Sequence, residues 1–281
     1  DEKKPMFNRA IGGHYPPGST FKIVTATAGI EEGKVDETTT FVDEGFVQIG
    51  EYTYKNWYYT QYGRTEGEID LIRAIKRSTD TFFYKVGEWV GANQLAEWGQ
   101  AFGLGRKTGI DLKGEIEGLV PTPEWKEKNK GEKWFLGNTY HLAIGQADLL
   151  ATPLQVNMMA SVIANQGKLC SPKVKQGEGE ECQDLRLKPE ALAMIKEGMR
   201  EACSSGGTAF PFFDFSPQAA CKTGTAEYGD PEGKTHAWLT AFAPVDEPEI
   251  VVTALVEGGG EGSDVAAPIV KEVMEAWFSK N

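Results

Sequence analysis

The segment Tyr15–Lys22 constrains the fold more than any other part of the chain. Two prolines and a glycine at positions 16–18 predict a turn, because proline fixes the backbone angle φ and glycine tolerates angles that other residues avoid. The apolar run that follows predicts a helix that begins at Ser19 and ends near Gly33. Helical spacing then places the Lys22 amine on the same face as the Ser19 hydroxyl.

Ser19 and Lys22 are residue types that can serve as a nucleophile and its base. A serine hydroxyl attacks a carbonyl only when a base takes its proton, and a partly desolvated lysine can be that base. The same spacing also arises by chance. Ser19 as a plain helix cap, with Lys22 in solvent, is therefore the other interpretation of these two residues. The rest of the sequence decides between the two.

Composition limits the choice of partners. The 281 residues are 40% hydrophobic, which is typical of one large globular domain or of one domain with an inserted lobe. The net charge of −12 argues against nucleic acid or an anionic membrane surface as the main partner. No apolar run reaches the roughly 18 residues that a membrane span needs.

The cysteines and histidines lack the spacing of metal ligands, so we predict neither a metal nor a cofactor. Cys170 and Cys182 flank a polar segment rich in glycine and glutamate, which a disulfide between them would close. Cys203 and Cys221 are interpreted as small buried hydrophobic residues.

Apolar periodicity predicts a chain of mixed α and β structure, without internal repeats. We expect short strands and loops over 38–62, helical structure over 69–102, and a loop-rich region over 104–153, whose charged run at 124–133 is interpreted as a solvated loop or helix face. We also expect a helix over 152–165, short strands over 168–187, a helix over 189–203, strands over 222–226, 235–242 and 249–256, and a closing helix over 265–278.

Three short motifs with complementary chemistry follow one another along the chain. They are Ser19-x-x-Lys22, Ser78-Thr79-Asp80 and Lys222-Thr223-Gly224-Thr225. We predict that Ser19 attacks a carbonyl while Lys22 takes its proton. Ser78 would relay a proton toward the leaving amine, and Lys222 would keep the local field positive.

The third motif is predicted to bind the substrate along a strand. The hydroxyls of Thr223 and Thr225 can hold a substrate carboxylate, and Gly224 lets an acyl group approach the backbone closely. The backbone N–H groups of Ser19 and Thr225 would form an oxyanion hole. Lys-Thr-Gly also occurs at 107–109, in a glycine-rich loop with no long strand after it, and we interpret that copy as structural.

With these motifs in place, the chain resembles the transpeptidase domain of class B penicillin-binding proteins, and most of all their elongation-type members. Further segments that carry the resemblance are Asn8–Ala10, Tyr15–Gly18, Ser78–Tyr84, Phe102–Gly105, Thr108–Leu112, Pro121–Trp125, Ala143–Gln146 and Val265–Pro268. The resemblance implies an α/β (α+β) fold of the penicillin-binding protein and serine β-lactamase type, over residues 1–281. In it, helices flank an antiparallel sheet, and a helical lobe spans about residues 65–150.

The resemblance also implies a serine D,D-transpeptidase that cross-links peptidoglycan stem peptides during cell elongation. Ser19 would attack the D-Ala-D-Ala bond, and β-lactams would acylate the same residue. Asp80 stands where other penicillin-binding proteins often have asparagine, and it would lie among the substrate-binding residues. Two alternatives share the fold: a β-lactamase or D,D-carboxypeptidase that passes the acyl group to water, and a non-catalytic β-lactam sensor.

Location and partners are expectations of the same kind. Members of the family act at the extracytoplasmic face of the bacterial cytoplasmic membrane, with a membrane glycan polymerase and cell-shape scaffold proteins. They have an N-terminal membrane anchor, a pedestal domain and the first strands of the sheet, and we expect all three to lie outside this sequence.

Overall fold

The computed structural model describes residues 4–176 and 181–280. In these ranges it has eleven α-helices: α1 (Arg9–Gly12), α2 (Lys22–Glu31), α3 (Trp57–Tyr62), α4 (Leu71–Arg77), α5 (Asp80–Val90), α6 (Ala92–Ala101), α7 (Pro123–Lys130), α8 (Leu136–Ala143), α9 (Pro153–Ala164), α10 (Pro189–Ala202) and α11 (Ala267–Phe278). The strands are β1 (Phe41–Asp43), β2 (Phe46–Ile49), β3 (Tyr52–Lys55), β4 (Gly67–Ile69), β5 (Lys168–Cys170), β6 (Cys182–Asp184), β7 (Ala220–Glu227), β8 (Thr235–Ala243) and β9 (Ile250–Val256). Two 3₁₀ turns (Gly18–Phe21, Phe210–Phe212) and one π turn (Gly262–Ala266) complete the set.

The main sheet is antiparallel, as the resemblance implies, and its strand order is β7-β8-β9. Its central strand β8 is buried at every position after Thr235, because both faces of the sheet are covered there. Trp238 and Phe242 face a core that α2, α5, α9 and α10 share. Leu239 and Ala241 face a second core against α11. Within the described residues the strand order places β7 at an edge of the sheet, and the cleft described below lies beside it.

Both cysteine pairs form disulfides. The bond between Cys170 and Cys182 joins β5 to β6 and closes the polar segment between them, a pairing that the sequence had left open. Cys203 and Cys221 are buried, as interpreted, but that interpretation missed that they form the second disulfide, with Cα atoms 5.6 Å apart. The end of α10 packs beside the start of β7, and that tertiary contact cannot be read from the 18-residue separation in sequence.

Several predicted elements differ in detail. Ser19 lies in a 3₁₀ turn, and the α-helix begins only at Lys22. The regions expected to be strands and loops also contain the short helices α3 and α8, whereas α7 lies on the charged run that was interpreted as a solvated loop or helix face. Tertiary contacts stabilise such short helices; the Tyr54 ring of β3, for example, packs edge-on against Tyr140 of α8. None of the helices in the described ranges is long and apolar enough to cross a membrane.

Candidate active site

The three sequence motifs meet at one cleft of about 1050 Å³. Its walls are the 3₁₀ turn before α2, the junction between α4 and α5, and the edge strand β7. The motif residues that line it are Ser19, Ser78, Asp80, Thr223, Gly224 and Thr225. The motif lysines, Lys22 and Lys222, are fully buried behind Ser78.

A braced turn holds Ser19 at the cleft. Gly18 has a φ of +54°, an angle that residues with a side chain rarely adopt, and its N–H donates to the Gly145 carbonyl at 2.9 Å. The indole of Trp238 on β8 donates to the Pro16 carbonyl at 3.0 Å. These contacts attach the turn to the sheet, so that Ser19 lies beside β7.

Gly224, predicted to let an acyl group approach the backbone, also allows close packing of the turn that carries Ser19. A Cβ atom at this position would lie 3.1 Å from the Thr20 methyl, 3.1 Å from the Trp238 Cβ and 3.2 Å from the Pro17 carbonyl. A side chain would therefore push the turn that carries Ser19 away from the strand. The close approach that requires glycine here is the approach of that turn.

The Lys22 amine is bonded to the second motif. It donates to the Ser78 carbonyl at 2.8 Å, to the Ser78 hydroxyl at 3.2 Å and to an Asp80 carboxylate oxygen at 2.6 Å. Within the described residues, no hydrogen bond joins it to the Ser19 hydroxyl. Burial lowers the pKa of Lys22, and the Asp80 carboxylate offsets part of that shift.

Lys222 approaches Ser78 from the opposite side. Its amine donates to the Ser78 hydroxyl at 2.9 Å and to the Thr223 carbonyl at 2.8 Å. Burial and the nearby charge of Lys22 hold the pKa of Lys222 well below its usual range, against the pull of Asp80. Two buried amines thus share one carboxylate, an arrangement that favours the loss of a proton from one amine.

Ser78 is held in an unusual backbone conformation between the two amines. Its φ of +54° lies in the left-handed region, which is uncommon for serine and often marks a functional site. Its oxygen accepts hydrogen bonds from both lysines, so its own proton remains available for donation into the cleft.

A buried polar network holds Asp80, and sequence reasoning missed it. The second carboxylate oxygen of Asp80 accepts from the Trp57 N–H at 2.9 Å, and the Asp80 N–H donates to the Asn56 side chain at 3.1 Å. Asn56 in turn donates to buried Asp43 at 3.1 Å. Asp80 lines the cleft, yet both of its oxygens already have partners, which makes it the charge partner of Lys22 in this structure.

Sequence reasoning also missed two hydrogen-bond partners of the third motif. The Thr223 hydroxyl is bonded to the Thr208 hydroxyl at 2.9 Å, and the Thr225 hydroxyl donates to the Glu261 carboxylate at 2.7 Å. Thr208 and Glu261 belong to glycine-rich stretches, and nothing in their local sequence distinguishes them from ordinary loop residues.

The second Lys-Thr-Gly copy lies outside the cleft. Its Thr108 donates from both the backbone N–H, at 2.7 Å, and the hydroxyl to the carboxylate of Glu115. The Gly109 N–H donates to the same carboxylate at 3.3 Å. This copy closes a surface turn, which agrees with its structural interpretation.

The fold and the three motifs that meet at the cleft are typical of one class, the proteins that interact with penicillin. A family model described as the penicillin binding protein transpeptidase domain matches residues 1–275. The chain belongs to this family, and within it the similarity is to PBP2-type (MrdA) proteins.

Individual relatives match over nearly the whole chain. The peptidoglycan D,D-transpeptidase MrdA of Haemophilus influenzae is 34% identical over 308 aligned positions, which cover 100% of this chain and 47% of that protein. The chain thus spans about half the length of the curated relatives that it matches.

Solved structures give the same fold. Helicobacter pylori PBP2 in complex with MreC superposes with a TM-score of 0.90 at 34% identity, covering 99% of this chain and 52% of that one. Penicillin-binding protein A of M. tuberculosis, as a penicillin G acyl-enzyme complex, superposes with a TM-score of 0.81 at 28% identity, covering 99% and 64%. The predicted transpeptidase fold is confirmed.

Proposed function

We propose that this chain is the catalytic part of a peptidoglycan D,D-transpeptidase that acts through an acyl-enzyme on Ser19. The observation that carries the proposal is the convergence of Ser19 and Ser78 on one cleft, in front of two buried lysines with lowered pKa values. The name of the H. influenzae relative supports the reaction, and the M. tuberculosis complex supports an acyl-enzyme in this family.

Acylation begins with a stem peptide that ends in D-Ala-D-Ala. The Thr223 and Thr225 hydroxyls hold its terminal carboxylate, and the backbone N–H groups of Ser19 and Thr225 receive the scissile carbonyl oxygen. Lys22, in the neutral form that its lowered pKa makes accessible, takes the Ser19 proton as Ser19 Oγ bonds to the carbonyl carbon. The two N–H groups stabilise the negative charge of the tetrahedral intermediate.

Collapse of that intermediate needs a proton at the leaving nitrogen. Ser78 donates its hydroxyl proton to that nitrogen and regains one from the lysine pair, so D-Ala leaves as a neutral amine and Ser19 keeps the acyl group. An amine of a second stem peptide then attacks the ester. Its proton returns through the same groups to Ser19 Oγ, and the cross-link is released.

We also propose where the protein acts and which partners it has. Two disulfides are typical of an oxidising compartment, which supports action at the extracytoplasmic face of the bacterial cytoplasmic membrane. The complex of H. pylori PBP2 with MreC supports a cell-shape scaffold protein as a partner. A membrane glycan polymerase, and an N-terminal membrane anchor outside this sequence, are proposed from the family resemblance.

The role of Lys22 predicts how acylation depends on pH. The base must be neutral, so the rate of acylation by benzylpenicillin should rise as pH increases through the pKa of Lys22, with a midpoint below the usual lysine value because burial lowers that pKa. Asp80→Asn removes the charge that raises the pKa of Lys22, so the midpoint should move to lower pH. Rate constants measured between about pH 6 and 10 check both statements. A midpoint that Asp80→Asn moves upward would contradict this role.

A donor–acceptor assay tests the reaction class. The protein is incubated with a synthetic stem peptide ending in D-Ala-D-Ala and with a second peptide that supplies an amine, and the products are separated by mass. A transpeptidase releases D-Ala and forms the joined peptide. A product shortened by one D-Ala, with no joined peptide, would indicate a carboxypeptidase, and no product together with a stable penicillin adduct would indicate a sensor.

A further inference from the structure

A carboxylate that none of the three motifs contains is bonded to the predicted substrate-binding strand. Glu261 lies between β9 and the π turn, and one of its oxygens accepts the hydroxyl proton of Thr225 at 2.7 Å. Its other oxygen accepts from the Gln61 amide of α3 at 3.1 Å. All three residues line the cleft, so Glu261 bridges its two walls.

The neighbouring backbone fixes Glu261 in this place. A Cβ atom at Gly262 would lie 2.2 Å from the Trp238 carbonyl oxygen and 2.5 Å from the Gly224 carbonyl oxygen, so the segment rests directly on β7 and β8. The π turn begins at the same residue, and such turns are frequent at functional sites. The side chain itself is exposed, and it can therefore swing away from Thr225.

The hydrogen bond from Thr225 to Glu261 competes with ligand binding. The Thr225 hydroxyl has one proton, which it can donate to one acceptor at a time. While Glu261 holds that proton, Thr225 cannot donate it to the carboxylate of a ligand. An arriving anion also meets the negative charge of Glu261 at close range, which opposes binding.

We infer that Glu261 is a specificity-determining residue of this cleft, which occupies the Thr225 hydroxyl until an anionic ligand displaces it. The inference rests on the proposed function, because it concerns the subsite for the terminal carboxylate of the substrate. Gln61 acts through Glu261 as a positioning residue, since its amide holds the carboxylate across the cleft.

The inference is tested by measuring the kinetics of acylation by benzylpenicillin in the variant Glu261→Ala. Because Glu261 competes with the ligand before any bond forms, its removal should lower the benzylpenicillin concentration at half-saturation about fivefold. The acylation rate at saturation should stay unchanged. Asp264→Ala is the matched control, since it removes a carboxylate from the same segment and the Asp264 side chain is placed against Ser263. That control should match the wild type within about twofold.

A double-mutant cycle tests the contact between Gln61 and Glu261. Gln61→Ala alone should lower the half-saturating concentration about twofold, and adding it to Glu261→Ala should bring no further change, because Gln61 acts only through Glu261. The inference would be overturned if Glu261→Ala left the half-saturating benzylpenicillin concentration unchanged or raised it, or if it changed only the rate at saturation. Additive effects of the two substitutions would also overturn it. The absence of any adduct on the wild-type protein would instead reject the proposed function.

Discussion

Replacing Ser19 with alanine is expected to abolish the covalent adduct with benzylpenicillin. The substitution deletes only the oxygen that would form the ester, and the contacts that hold the turn come from other residues, Gly18 and Trp238 among them. The fold should therefore survive while the mass increase of one drug molecule disappears. Intact-protein mass spectrometry measures this directly, with thermal unfolding as the check that the variant is folded.

Two other serines line the cleft, and one of them, Ser263, provides a control. Ser263→Ala should form the adduct at the wild-type rate, because Ser263 is not bonded to either lysine in the described structure. Ser78→Ala should form it about 100-fold more slowly, because proton donation to the leaving nitrogen is impaired. A full adduct on Ser19→Ala, or none on Ser263→Ala, would contradict the assignment of the nucleophile.

Exchanging Lys222 for methionine is expected to slow acylation about 100- to 1000-fold. Methionine keeps most of the buried volume, yet it removes the amine that donates to the Ser78 hydroxyl. Ser78 then has only Lys22 from which to regain the proton that it gives away. The rate constant for formation of the benzylpenicillin adduct is the quantity to measure.

The chain contains its own matched control for this substitution. Lys107→Met alters the same triplet in the other Lys-Thr-Gly copy, which closes a turn on Glu115 and lies outside the cleft. Lys107 is exposed, so its replacement should change the rate by less than about twofold. A loss only in Lys107→Met would mean that the wrong copy was assigned to the site, and equal losses in the two variants would contradict a role specific to Lys222.

The sequence predicted those elements that neighbouring residues specify, such as apolar strands, helix caps and turns rich in proline and glycine. The strands β8 and β9 have long apolar runs, and α9 begins at Thr152-Pro153 with a capping box that the structure contains. The Ser19 turn was predictable for the same reason, because prolines and a glycine restrict the backbone directly. The order of the three motifs then indicated which residues to expect near one another.

The sequence could not reveal contacts that only tertiary structure creates. Asn56 and Asp43 support Asp80 from a segment whose pattern predicts short strands, and a single polar residue in such a segment looks like any loop residue. The partnership of Cys203 with Cys221 depends on how α10 packs against β7. The lowered pKa values of the lysines likewise depend on burial, which no spacing specifies.

The most direct test of the central claim is to locate the acyl group. The wild-type protein is incubated with benzylpenicillin, followed by intact mass over hours, and then digested with trypsin, which releases residues 10–22 as one peptide that contains Ser19 as its only serine. Our account predicts one drug mass per chain, stable for hours and found on Ser19 of that peptide. An adduct on another peptide, or one that vanishes while the drug is consumed, would contradict it.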